Sequence, residues 1–127
     1  MTMNLPLQSV SDGGESRSDP VTVVLVTVPD AGTGTELARA LVEDRLAACG
    51  NVMPGLTSVY RWQGEVQQDP ESLVILKTTM ASLDALKERV LELHPYDVPE
   101  FLALPVIFGH LPYLQWVDGQ VKKHEES

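Results

Sequence analysis

The densest run of reactive side chains is residues 94–100, His-Pro-Tyr-Asp-Val-Pro-Glu. An imidazole is a good ligand for borderline metals such as copper(II) and zinc, and the carboxylates of Asp97 and Glu100 can add oxygen ligands. The same histidine can instead cap the open carbonyls of a helix that ends there. Pro95 and Pro99 fix two φ angles and bias their predecessors toward extended geometry, so these side chains hang from a stiff frame.

Other reactive residues are scattered. Cys49 is the only cysteine, which excludes an intrachain disulfide. Its thiolate suits copper(I), but a free cysteine commonly behaves as a small buried hydrophobe, and burial is the expectation here. Lys77 closes the apolar run Leu73-Val74-Ile75-Leu76. A lysine at a buried strand end needs a partner, with Glu100 the candidate, or must snorkel to water. Tyr60 and Trp62 fall on one face of a strand and Trp116 on the last helix, where they wall a cleft or pack an interface, the latter favoured. Walker, Rossmann, Gly-x-Ser-x-Gly and His-Glu-x-x-His signatures are absent from the sequence.

The elements that must position these residues follow from periodicity. Residues 21–28, VTVVLVTV, are β-branched and continuously apolar, which predicts a central strand covered on both faces. Thr33 to Glu36 has capping-box spacing, predicting a helix from there to about residue 48, ended by a left-handed Gly50. Residues 56–62 read as a strand, Gln63-Gly64 as a two-residue turn, and residue 65 onward as its partner, interrupted near Asp69-Pro70. Leu83, Leu86, Val90 and Leu93 recur at helical spacing over residues 82–94, and Pro95 stops that helix. A buried strand follows over residues 101–106, then a short helix with Pro112 in its first turn and Tyr113 and Trp116 or Val117 sharing a face.

Strand, helix, strand, strand, helix, strand and a final helix predict an α+β, ferredoxin-like split βαβ fold. Two helices cover one face of such a sheet. The apolar residues of the other face predict that subunits pack on it. The expected division is a tail over residues 1–20, one domain over 21–123 and a frayed end over 124–127.

A formal charge of -9 opposes approach to nucleic acid. No apolar run has the length of a membrane span, and residues 1–20 lack the pattern of a signal peptide. Together with the lone cysteine this predicts a cytoplasmic protein.

The segments TVVLVTVPD, RLAACGN, PGLTSVYRWQG, ILKTT, ELHPYDVPEFLALPV and YLQW occur in unbroken order across about residues 21–117. They resemble the CutA family of divalent-cation tolerance proteins. The resemblance implies a PII-like homotrimer whose sheets join at their edges, binding copper(II) or another divalent transition metal, with no catalytic activity established. It implies polar inter-subunit clefts at Tyr60, Trp62, Lys77, His94, Tyr96, Glu100, Tyr113 and Trp116. Some members carry a cysteine on the first strand and a second histidine before His-Pro-Tyr; this chain has Val26 and Leu93 there. The expected metal ligands are thus His94, Asp97 and Glu100. Two other functions fit the residues: a PII-like sensor holding a small anionic metabolite in the cleft and signalling to a protein partner that the sequence does not identify, or a purely structural trimer.

Overall fold

The structure, a computed structural model, describes residues 19–123. The tail and frayed-end expectations lie outside them, except that Asp19 and Pro20 are tied down. The Asp19 amide donates to Asp118 Oδ1 at 3.3 Å, and the Pro20 carbonyl accepts from the Met80 amide at 2.8 Å.

The elements are β1 (Val21–Val28), α1 (Ala31–Glu43), β2 (Cys49–Trp62), β3 (Glu65–Thr79), a 3-10 turn (Met80–Ser82), α2 (Leu83–Leu93), β4 (Leu102–Pro105) and α3 (Leu111–Gln120). One sheet has the order β2-β3-β1-β4, and every neighbouring pair is antiparallel. This is the expected α+β split βαβ arrangement, with β1 central.

α1 begins earlier than the capping-box spacing predicts. Asp30, in extended conformation, accepts from the Thr33 amide at 2.7 Å, so Thr33 lies inside the helix rather than at its cap. The helix also ends sooner. Arg45 takes the left-handed conformation at φ 60, its amide donates to Val42 O, and the Leu46 amide reaches back to Leu41 O. That is a Schellman ending with arginine where glycine is usual. The guanidinium donates to the Gln120 and Gly119 carbonyls at 3.1 and 3.3 Å, closing the open end of α3.

Gly50, expected to end α1, lies within β2 instead. A Cβ there would sit 2.9 Å from the Ala38 Cβ and 3.1 Å from Leu76 Cδ2, so the glycine permits α1 to approach the sheet. Beyond it, β2 carries an irregularity between Met53 and Leu56, where Gly55 has φ 87. The predicted turn is present, with Gln63 at φ 51 and Gly64 at φ 84 as a type I′ hairpin requires.

β3 runs through Asp69-Pro70 without the expected break. β1 pairs with it only as far as Ser72, so Pro70 faces β2 on one side and no strand on the other. Residues 56–62 and 65–71 therefore form a two-stranded ribbon projecting beyond the four-stranded sheet. β4 departs from expectation too: it is a short, exposed edge strand, not a buried one.

The main core joins Val24, Val26, Val28, Val74 and Leu76 of the sheet to Leu37, Leu41, Leu86 and Val90 of α1 and α2. On β1 the alternate residues Val23, Leu25 and Thr27 are only half-buried, so a single chain covers one face of this strand fully. A second cluster, Val21, Ala48, Leu114, Val117 and Val121, seats α3 at one end of that second face. Leu93, placed by spacing on the buried stripe of α2, is 39% exposed.

Candidate functional site

Pro95 stops α2, and His94 adopts an extended conformation as its C-cap, its amide donating to Val90 O. The buried ring turns back toward the end of β1. Its Nε2 lies 2.7 Å from the Thr27 carbonyl, and its Nδ1 accepts from the Tyr96 amide at 3.1 Å. A carbonyl can only accept and an amide only donate, so the proton is assigned to Nε2 and the lone pair to Nδ1. Both nitrogens are thereby engaged. His94 is a pin that fastens the α2–β4 corner to β1, and the expectation of a metal ligand there conflicts with this geometry.

From that corner the Tyr96 ring, 4.7 Å from the His94 ring, sends its hydroxyl to Glu71 Oε2 at 2.6 Å. Nearby, the Tyr60 hydroxyl donates to Asp69 Oδ2. Burial, reinforced by the charge of Glu71, raises the Glu100 carboxyl above its ordinary range. Burial and the bond to Glu71 raise Tyr96; the bond to Asp69 raises Tyr60. The corner and the root of the ribbon thus meet in an oxygen-rich patch. Asp97 is exposed and joins none of these bonds. Among the described residues no group of three or more His, Cys, Asp or Glu side chains is gathered to hold a metal ion.

Lys77 is elsewhere. It lies six residues along β3 from Glu71, about 20 Å at the usual strand rise, so the expected pairing with Glu100 does not form; its ammonium donates to Asn51 Oδ1 instead. Cys49, directly opposite Lys77, has its Sγ 3.8 Å from the Tyr113 hydroxyl and is half-buried, not buried as expected, because β2 begins on the face that the helix pair leaves open. Burial, then the hydrogen bond between the hydroxyl and Cys49 Sγ, raises Tyr113. The rings of Tyr113 and Trp116 are 5.7 Å apart.

One chain therefore divides the predicted cleft set three ways: His94, Tyr96 and Glu100 at the α2–β4 corner with Tyr60 reaching toward it along the ribbon, Trp62 at the ribbon tip, and Lys77, Tyr113 and Trp116 at the α3 end. Asp69 and Glu71 were missed from sequence. Their two-residue spacing on a strand was the available signal, since it sets both on one face.

Comparison with known proteins places these features in a family. Residues 22–120 match CutA1, the divalent ion tolerance protein family. The divalent-cation tolerance protein CutA of Thermus thermophilus is 57% identical over 95 residues, covering 75% of this chain and 92% of that protein. A crystal structure of CutA1 from Oryza sativa superposes with a TM-score of 0.82 at 47% identity, covering 84% of this chain and 98% of that one. The expectation of a cytoplasmic protein is corrected by the relatives. Those from Oryza sativa and Arabidopsis thaliana are named chloroplastic, and a structure from Archaeoglobus fulgidus is described as periplasmic. The lone cysteine excludes an internal disulfide but does not fix a compartment. On the matched residues, the identity and the shared fold, the chain belongs to the CutA1 divalent ion tolerance protein family.

Proposed function

We propose that the chain acts in divalent-cation tolerance as a non-enzymatic homotrimer, binding copper(II) or a similar ion at a site that is complete only between subunits. The observation that carries this reading is the second sheet face. Val23, Leu25, Leu73 and Ile75 share it with Leu102 and Leu104, which are 54% and 46% exposed. An apolar surface of this extent is characteristic of a contact between proteins. The projecting ribbon, marginal as two strands alone, would gain support from the same contact.

Within one chain Glu71 and Glu100 supply two carboxylates, and a side chain from a neighbouring copy would complete the ligand set. A cation held between them would also relieve the burial and repulsion that raise Glu100. His94 then serves by fixing the corner.

Light scattering and calorimetric titration test the two halves separately. The expected result is a trimer that binds copper(II) or zinc saturably, and a Glu71→Gln/Glu100→Gln double variant that keeps its mass but loses the binding. A monomeric mass refutes the assembly. Unchanged binding by the double variant refutes the ion site.

A further inference from the structure

We propose that α3 is a strap that undocks as a unit while the main core stays folded, latched at its C-terminal end by Arg45 and Asp118. Among the described residues, no member of the main core cluster comes from α3; its Leu114 and Val117 pack instead, with Val121, on Val21 and Ala48. A small apolar contact therefore holds it down. It is joined to β4 by residues 106–110, which form neither helix nor strand, and its N-cap, His110, makes no side-chain capping bond. A connection of this kind can absorb a change in chain direction.

The polar ties gather at the other end. Arg45 donates from Nε to the Gln120 carbonyl at 3.1 Å and from Nη2 to the Gly119 carbonyl at 3.3 Å, and its own carbonyl accepts from the Lys122 amide at 2.9 Å. Asp118, whose side chain is 15% exposed, accepts from the Asp19 amide at 3.3 Å and from the Lys123 ammonium at 2.7 Å. The last turn of α3 thus meets the joint between α1 and β2, the approach to β1 and the segment that follows the helix. Hydrogen bonds with a charged partner contribute more than neutral ones, so these two side chains set how often the strap opens. Tyr113 and Trp116 ride on α3, so opening carries both rings away, Tyr113 from its place 3.8 Å from the sulfur of Cys49. The latch thereby controls whether that end of the second face is assembled, and it stands or falls apart from the metal reading.

The test is hydrogen–deuterium exchange of the full chain, read by mass spectrometry over α3 and, for comparison, over β1 and α2. The α3 amides are expected to exchange at least about tenfold faster than the other two, with a shallower dependence on urea, because local opening exposes less surface than global unfolding. Arg45→Ala should speed α3 exchange about tenfold further and Asp118→Ala about threefold, with little change in β1 and α2. A parent in which all three elements exchange at one rate with one urea dependence overturns the proposal, as does an α3 rate left unchanged by Arg45→Ala. So does an α3 rate that falls as protein concentration rises, since that assigns the opening to separation of subunits. The urea dependence of the parent decides the matter even if Arg45→Ala fails to fold.

Discussion

The two faces of the sheet are made by the same strands from nearly the same residue types, yet they end in different states. Val24, Val26 and Val28 on one face of β1 are fully buried, whereas Val23, Leu25 and Thr27 on the other are half-buried. On β3, Val74 and Leu76 repeat the first pattern, and Leu73, Ile75 and Lys77 the second. α1 and α2 account for the covered face, while α3 reaches only the Val21 end of the other. An unbroken apolar strand thus records that both faces want cover, without recording what supplies it.

The largest expected effect comes from the covered face. Leu41→Ala and Leu86→Ala each remove a side chain with no exposed surface, and each should cost about 2–5 kcal/mol in urea or guanidinium unfolding. Leu25→Ala should cost less at low protein concentration. If copies pack on its face, that cost grows with protein concentration, because association adds to the stability of the folded state. Equal, concentration-independent losses at Leu25 and Leu86 would erase the distinction between the faces.

A charge sharpens the same contrast. Leu25→Asp places a carboxylate beside Ile75 on β3 and Leu102 on β4. A half-exposed position tolerates that charge in a single chain, whereas a packed interface does not. Light scattering should therefore report about a threefold fall in mass for a trimer built on this face, with the helical circular dichroism signal retained. An unchanged mass would place the contact elsewhere.

Much of this arrangement was legible in the sequence. The order of elements, the central β1, the Gln63-Gly64 turn and the stop at Pro95 each follow from a local rule of period or backbone restriction. The departures have physical causes. Gly50 looked like a helix end because glycine serves equally for a positive φ and for close packing, and only the position of Ala38 distinguishes the two. Arg45 gave no signal, since arginine has no preference for the left-handed region and the carbonyls of α3 that its guanidinium meets lie more than seventy residues away. His94 was read as a ligand because its partner, the Thr27 carbonyl, is main chain and leaves no trace in residue identity. Asp69 and Glu71 had a readable spacing, but Tyr96 reaches Glu71 only through the tertiary fold.

The covered face depends on how α1 is set at its two ends, and the C-terminal end permits a paired test. Arg45→Ala loses the bonds to Gly119 and Gln120 and keeps an L side chain in the left-handed region. Arg45→Gly loses the same bonds but relieves that conformation. Glycine should therefore be the more stable variant by about 1 kcal/mol. If alanine equals glycine in denaturant midpoint, the arginine conformation carries no such cost, and the bonds to α3 alone hold the junction.

The smallest effect belongs to the other end of α1 and is read through pH. The Thr33 backbone amide, then its hydroxyl, holds the Asp30 carboxyl below its ordinary value of 3.8. Between those two values the unfolded chain binds more protons than the folded one, so stability rises with pH through that window. The contribution is fully present above the ordinary value and is lost as pH falls through the folded one. Asp30→Asn retains a capping oxygen but no charge, so its denaturant midpoint should trail the parent's slightly at neutral pH. The gap should hold steady above about pH 5 and narrow as the solution becomes more acidic. A gap that ignores pH would mean that the carboxylate charge adds nothing to the cap. Because Asp30 caps a helix on the covered side, the same narrowing should survive in a Leu25→Asp background, where the second face has lost its partner.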